Sequence, residues 1–150
     1  MKNSLIAVTL ICILSATNTA SAAGNTFGLG IGGLYGDVGI KIDHAFTDAF
    51  SVGVLQSWQA SASFTHLRAK YLFNTERGTS SPFITIGYGG IANDQYADLQ
   101  GTVAGVGYRM FKSGKKSYTE FSVSSLLSVE GPYYFTSNPL YIGFSYGKNF

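Results

Sequence analysis

The sequence predicts an all-β fold: an eight-stranded antiparallel up-and-down transmembrane β-barrel that follows a cleaved signal peptide. Three observations predict it. After residue 23, apolar and polar residues alternate with period two in segments of about ten residues, the span a tilted strand needs to cross a bilayer. Charged residues are 12% of the chain while aromatics are 15%, with 19 glycines among 150 residues. Soluble domains carry about twice that share of charge. The number of alternating segments is eight, and an even count lets the first strand pair with the last so that no edge is left open in lipid.

Residues 1–22 stand apart from that pattern. Met1-Lys2 opens on a positive charge, Leu5 to Leu14 is apolar, and Ala20-Ser21-Ala22 is a small-x-small exit, the three parts of a secretory signal. The apolar run is too short to span a bilayer, which takes roughly 20 residues. Export with cleavage after Ala22 is therefore expected, leaving 23–150 as one barrel domain. Cys12, the one cysteine, lies inside this leader behind bulky Ile11, so neither lipidation at Cys12 nor a disulfide in the mature domain is expected. Small secreted domains usually need such staples; a barrel surrounded by lipid does not.

The eight segments run as follows. Thr26 to Tyr35 is glycine-rich. Val38 to His44 sets Val38, Ile40 and Ile42 against Gly39, Lys41 and Asp43. Phe50 to Trp58 carries Phe50, Val52 and Val54 on one face. Phe64 to Phe73 sets Leu67, Ala69, Tyr71 and Phe73 against His66, Arg68 and Lys70. Phe83 to Ile91 places Ile84, Ile86 and Tyr88 opposite Thr85, Gly87 and Gly89. Leu99 to Phe111 sets Ala104, Val106, Tyr108 and Met110 against Gly101, Gly105, Gly107 and Arg109. Ser117 to Val129 sets Phe121, Val123, Leu127 and Val129 against Glu120, Ser122, Ser124 and Ser128. Leu140 to Phe150 closes the series, with Leu140, Ile142, Phe144 and Tyr146 against Tyr141, Gly143, Ser145 and Gly147. Turn residues fill the gaps, among them Gly36-Asp37, Thr47-Asp48, Asn93-Asp94, Ser113-Gly114 and Gly131-Pro132. No stretch after residue 23 sustains a helical apolar stripe or reaches 18 consecutive apolar residues.

Tyr71-Leu72-Phe73, a polar connector and Ser81-Pro82-Phe83-Ile84-Thr85-Ile86-Gly87-Tyr88-Gly89 resemble the central hairpin of the small outer-membrane barrel family. That family includes the membrane domain of outer membrane protein A and the opacity-type, porin-like surface proteins. Val103 to Arg109 with Phe111 is similar to the family's next strand, and Ala45-Phe46-Thr47-Asp48 to its first periplasmic turn. Phe150 at the end of the sequence, with Tyr146, Phe144 and Ile142 alternating upstream, resembles the C-terminal signal read by the outer-membrane assembly machinery. Lys148 departs from that pattern, where a hydrophobic residue is usual. The resemblance implies a Gram-negative outer-membrane location with periplasmic termini. It puts the connectors near 47, 74–81 and 112–116 in the periplasm and those near 36, 58–63, 92–98 and 130–139 outside.

The residues that carry chemistry point inward. Lys41, Asp43, His66, Arg68, Lys70, Arg109 and Glu120 fall on the polar faces. A lipid-facing Arg or Lys costs roughly 2–4 kcal/mol at the bilayer midplane, so these residues are expected to form a polar network inside the barrel. An eight-stranded barrel is just wide enough for its own side chains, which predicts a closed lumen. Gly28-Leu29-Gly30-Ile31-Gly32-Gly33 contains a formal G-x-G-x-x-G, but a dinucleotide site needs a preceding strand and a following helix. These glycines are expected to serve close packing. The lipid A deacylases, a related barrel family, carry a His-x-Ser pair late in the chain; Tyr118 to Ser124 contains no histidine. His44 and His66 on separate segments make no metal-ligand spacing.

The expected function is that of a non-catalytic structural or surface outer-membrane protein with a polar, closed lumen. The expected partners are outer-membrane lipid, lipopolysaccharide and the assembly machinery. No cofactor and no catalytic residue is assigned, and the expected state is a monomer. A net charge of +2 offers no case for nucleic acid. The competing readings are a deacylase-type lipid A-modifying enzyme with an unfamiliar site, a small-solute channel, and a soluble lipocalin-like ligand carrier.

Overall fold

The computed structural model describes residues 24–32, 37–59, 62–74, 79–93, 96–111, 116–130 and 140–150. The signal peptide, the Tyr35 end of the first segment and the Gly131 to Thr136 connector lie outside the described residues. Eight strands follow in chain order: β1 (Asn25–Gly32), β2 (Val38–Ala45), β3 (Phe50–Gln59), β4 (Ala62–Leu72), β5 (Ser81–Asn93), β6 (Tyr96–Phe111), β7 (Ser117–Glu130) and β8 (Leu140–Asn149). Each pairs antiparallel with its neighbours in sequence, and β1 pairs with β8, so the sheet is a closed barrel. The seam runs from Thr26 opposite Asn149 to Gly32 opposite Gly143. It is clamped at one end by the Phe150 amide donating to the Asn25 carbonyl at 2.9 Å. Closure pairs the backbones of the first and last strands and leaves no open sheet edge.

Local chemistry sets the turns. Between β2 and β3 the Thr47 hydroxyl oxygen accepts from the Phe50 amide at 2.9 Å and from the Ala49 amide at 3.3 Å, a side-chain-stabilised turn typical of Thr. Pro82, which has no N–H to give a ladder, sits one residue into β5, where a strand tolerates it.

Period-two alternation produces an inverted burial pattern. Among the described residues, buried side chains are mostly polar or charged, while Leu29, Ile86, Val106 and Ile142 are 51–59% exposed on the outer face. In a water-soluble protein the large apolar side chains are the buried ones. Among the described residues the interior also holds six apolar or aromatic side chains that the alternation did not single out: Leu55, Leu72, Phe83, Val103, Tyr118 and Leu126. Two of them fit because a large inner ring faces a glycine across the ladder. Phe83 lies opposite Gly107 and Tyr118 opposite Gly147. A Cβ on Gly107 would run into both the Phe83 ring and the Phe121 carbonyl.

Three expectations are corrected. The ladders outrun the apolar span: β4 begins at Ala62, β5 covers Ser81–Asn93 and β6 begins at Tyr96. Polar rim residues pair their backbones as well as apolar ones do. β4 also ends at Leu72, so Phe73 lies beyond it. Finally, the register shifts where Thr102 pairs Ser128 but Val103 pairs Leu126. The extra residue, Leu127, bulges outward at 59% exposure, and Ser128, expected on the inner face, is exposed. A bulge flips the alternation beyond it.

Replacing Gly107 by valine should destabilise the barrel by about 1–3 kcal/mol, because a backbone carbonyl and a rigid ring must both yield. A lowered urea midpoint in detergent micelles is expected; a midpoint equal to wild type would show that the Phe83–Gly107 fit is slack.

Candidate functional site

Six ionisable side chains from four strands meet inside the barrel. Arg109 and Glu120 are direct cross-strand partners on β6 and β7, and Arg109 Nε donates to Glu120 Oε1 at 2.7 Å. Lys70 of β4 reaches the same oxygen at 2.7 Å from the opposite wall. Lys41 of β2 donates to Glu120 Oε2 and, at 2.8 Å, to the Ser145 hydroxyl of β8. Arg68 grips Asp43 with both Nε and Nη2, at 2.8–3.1 Å, the two-pronged geometry that makes arginine–carboxylate pairs strong. Lys70 Nζ lies 3.6 Å from Asp43 Oδ2, joining the two clusters. Thr26 donates to Asp43 at 3.4 Å.

Two of the contacts that cross an intervening strand, Asp43–Arg68 and Lys41–Ser145, do so over a glycine. Asp43 and Arg68 both register against Gly53 of β3; a Cβ there would strike the Asp43 carboxylate and backbone. Lys41 registers against Gly28 of β1 and extends over it to Ser145. Gly28 is the first glycine of the formal G-x-G-x-x-G, and in the fold it is a gap in the wall beneath a lysine. Aromatic faces cover the cations: Arg109 Cζ is 4.2 Å from the Tyr118 ring centroid, and Lys70 Nζ is 4.8 Å from that of Phe83. Such contacts favour a desolvated cation.

The structure thus brings Lys41, Asp43, Arg68, Lys70, Arg109 and Glu120 together. His66 is placed inside but apart: it is 2% exposed, stacks on Phe64 at 5.4 Å, and makes no side-chain hydrogen bond or ion pair to the six among the described residues. His44 bonds instead to Asn25, at 2.9 Å. Tyr118, Phe83, Ser145 and Thr26 belong to the cluster and were not assigned to it from the sequence; Tyr118 shares the parity of Glu120, and Ser145 and Thr26 register opposite Glu120 and Asp43. Ile142, Phe144, Tyr146 and Phe150 lie on the outer face of the C-terminal segment, 50–69% exposed. Phe144 packs on Phe121 at 5.1 Å, and Lys148 Nζ sits 5.7 Å over the Phe150 ring.

The barrel superposes on the crystal structure of the N-terminal β-barrel domain of Pseudomonas aeruginosa OprF with a TM-score of 0.61, covering 88% of this chain and 100% of that one. The chain shares that fold. At 17% sequence identity the likeness concerns fold, and at that level it agrees with the resemblance to small outer-membrane barrels drawn from the sequence. No family profile and no curated protein matches the chain.

Replacing Glu120 by glutamine leaves three buried cations around a neutral amide. A loss of about 3–5 kcal/mol is expected, the usual result of removing one partner of a buried ion pair. Adding Lys41→Met to Glu120→Gln should recover part of it, because one uncompensated charge goes with the lysine. Urea titration of the single and double variants measures both; a Glu120→Gln protein as stable as wild type would mean that the carboxylate does not hold the cluster.

Proposed function

We propose that this chain is a non-catalytic outer-membrane protein with a structural or porin-like role, exported behind the 1–22 signal and inserted as a monomeric barrel. The supporting observation is the inverted surface. Phe27, Leu29, Ile31, Ile84, Ile86, Val106, Ile142 and Phe144 are exposed on the outer face, while the charges of the strand interiors turn inward to one another. Lipid is the environment in which that distribution is favourable, since exposed apolar area in water costs roughly 25 cal/mol per Å². On this reading outer-membrane lipid and lipopolysaccharide surround the barrel, and the assembly machinery receives its C-terminal strand. The non-catalytic reading rests on the interior: its acids and bases serve as counter-ions for one another, leaving the network as a plug. A porin-like path for small solutes is the second reading. A plug of ion pairs, unlike an apolar one, can exchange partners without exposing grease to water.

Membrane fractionation followed by gels of boiled and unboiled samples tests the proposal. Carbonate-resistant outer-membrane material whose mobility changes on heating is expected. Recovery in the soluble periplasm with no heat shift would overturn it in favour of a soluble carrier. Mass spectra of lipid A from cells with and without the protein should be identical; a lost acyl chain would establish the enzyme reading instead. Removing Phe150 should lower the heat-shifting outer-membrane population several-fold if the C-terminal residues are read during assembly, and an unchanged yield would dismiss that role.

A further inference from the structure

The interior is built in two storeys. Asp43, Lys70, Arg109 and Glu120 lie near the strand ends that carry Asn25 and Asn149, and Lys41 and Arg68 reach down to them. Farther from that end, the inward strand positions among the described residues hold no Asp, Glu, Lys or Arg. The large side chains there are Leu55 on β3, His66 on β4, Val103 on β6 and Leu126 on β7, all only 1–7% exposed.

These side chains close over a bare stretch of wall. His66 registers opposite Leu55 on one side and Gly89 on the other. Its ring stacks on Phe64 at 5.4 Å and lies where a Cβ on Gly87 would have to go. From the far side, Val103 registers between Gly87 and Leu126. Leu126 Cδ2 comes within 3.3 Å of the place a Cβ on Gly101 would take, and Gly101 registers against Gly89. The glycines of β5 and β6 are thus covered from β4 by a histidine and from β7 by a leucine. The register shift falls at the same level: Leu126 stays inside while Leu127 and Ser128 turn out. Bulges recur where a strand must re-aim a side chain.

A charged layer and an apolar layer resist a passing ion differently. The charged layer offers partners in place of water, whereas an apolar constriction strips hydration, returns nothing and closes by dewetting. Phe83 and Tyr118 do not form such a layer, because their ring faces are turned to Lys70 and Arg109. We propose that the collar of Leu55, His66, Val103 and Leu126, rather than the ion network, is the barrier to small ions along the lumen. In a structural barrel the collar is a seal. As a gate it rests on the porin-like reading.

Planar-bilayer current through the full-length protein in potassium chloride tests the proposal. Leu126→Ala should raise the current several-fold over wild type, while Lys70→Met, which alters the network, should not. A rise in Lys70→Met equal to or greater than that in Leu126→Ala would overturn the collar. If no variant passes current, the porin-like reading fails, and labelling decides the collar by itself. Ser124 faces inward on β7 between Glu120 and Leu126 and is 5% exposed. In the full chain carrying Cys12→Ser and Ser124→Cys, a small charged thiol reagent should react several-fold faster once Leu126→Ala is added. A labelling rate unmoved by Leu126→Ala would overturn the seal as well. Val103→Ala takes the place of Leu126→Ala in both measurements if the latter loses its heat-dependent gel shift.

Discussion

The carboxylate of Glu120 is the constraint on which the interior depends. Three cations from three strands converge on it, so the widths of the barrel at β2, β4 and β6 are all referred to one side chain on β7. An eight-stranded barrel must fill its own lumen, and an apolar filling would place no demand on register. A charged filling does. Sliding β4 by one residue against its neighbours would carry Arg68 and Lys70 to the outer face and bring Leu67 and Ala69 in, because side chains alternate strictly along a strand. The ion network therefore selects a single alignment of the sheet, at the cost of desolvating six ions.

That selection works only because the wall beneath the network is bare in the right places. Gly53 lies between Asp43 and Arg68, and Gly28 lies between Lys41 and Ser145. Elsewhere the same economy of space seats rings: Gly107 receives Phe83 and Gly147 receives Tyr118. The glycine content that distinguishes this composition is therefore tied to the volume of the long inner side chains. Glycine weakens a strand by its entropy, but closure of the sheet restrains every strand on both sides.

The parts of this architecture that were legible in the sequence are those governed by a two-sided environment. Where the outer face is apolar and the inner face polar, alternation is enforced residue by residue, and strands such as Phe50–Gln59 can be read almost to their ends. Legibility failed where that contrast weakens. At the rims both faces are polar, so pairing continues past the last apolar residue, as in β5 and β6. At Leu126-Leu127 two identical residues straddle a bulge, and nothing in their chemistry tells which one turns in. Inside, Phe83 and Tyr118 are apolar residues on polar faces, invisible to a reading that sorts by polarity. Which cation would meet which carboxylate was likewise hidden, since Asp43 and Arg68 meet across a third strand whose decisive feature is the absence of a side chain.

Sharing is the complement of that economy. Lys41, Lys70 and Arg109 all contact Glu120, and Lys70 also lies 3.6 Å from Asp43. A set of isolated pairs would hold each strand to one other strand, whereas a shared carboxylate ties β2, β4 and β6 to β7 at once. Losing one base therefore loosens one wall, while losing the carboxylate releases three.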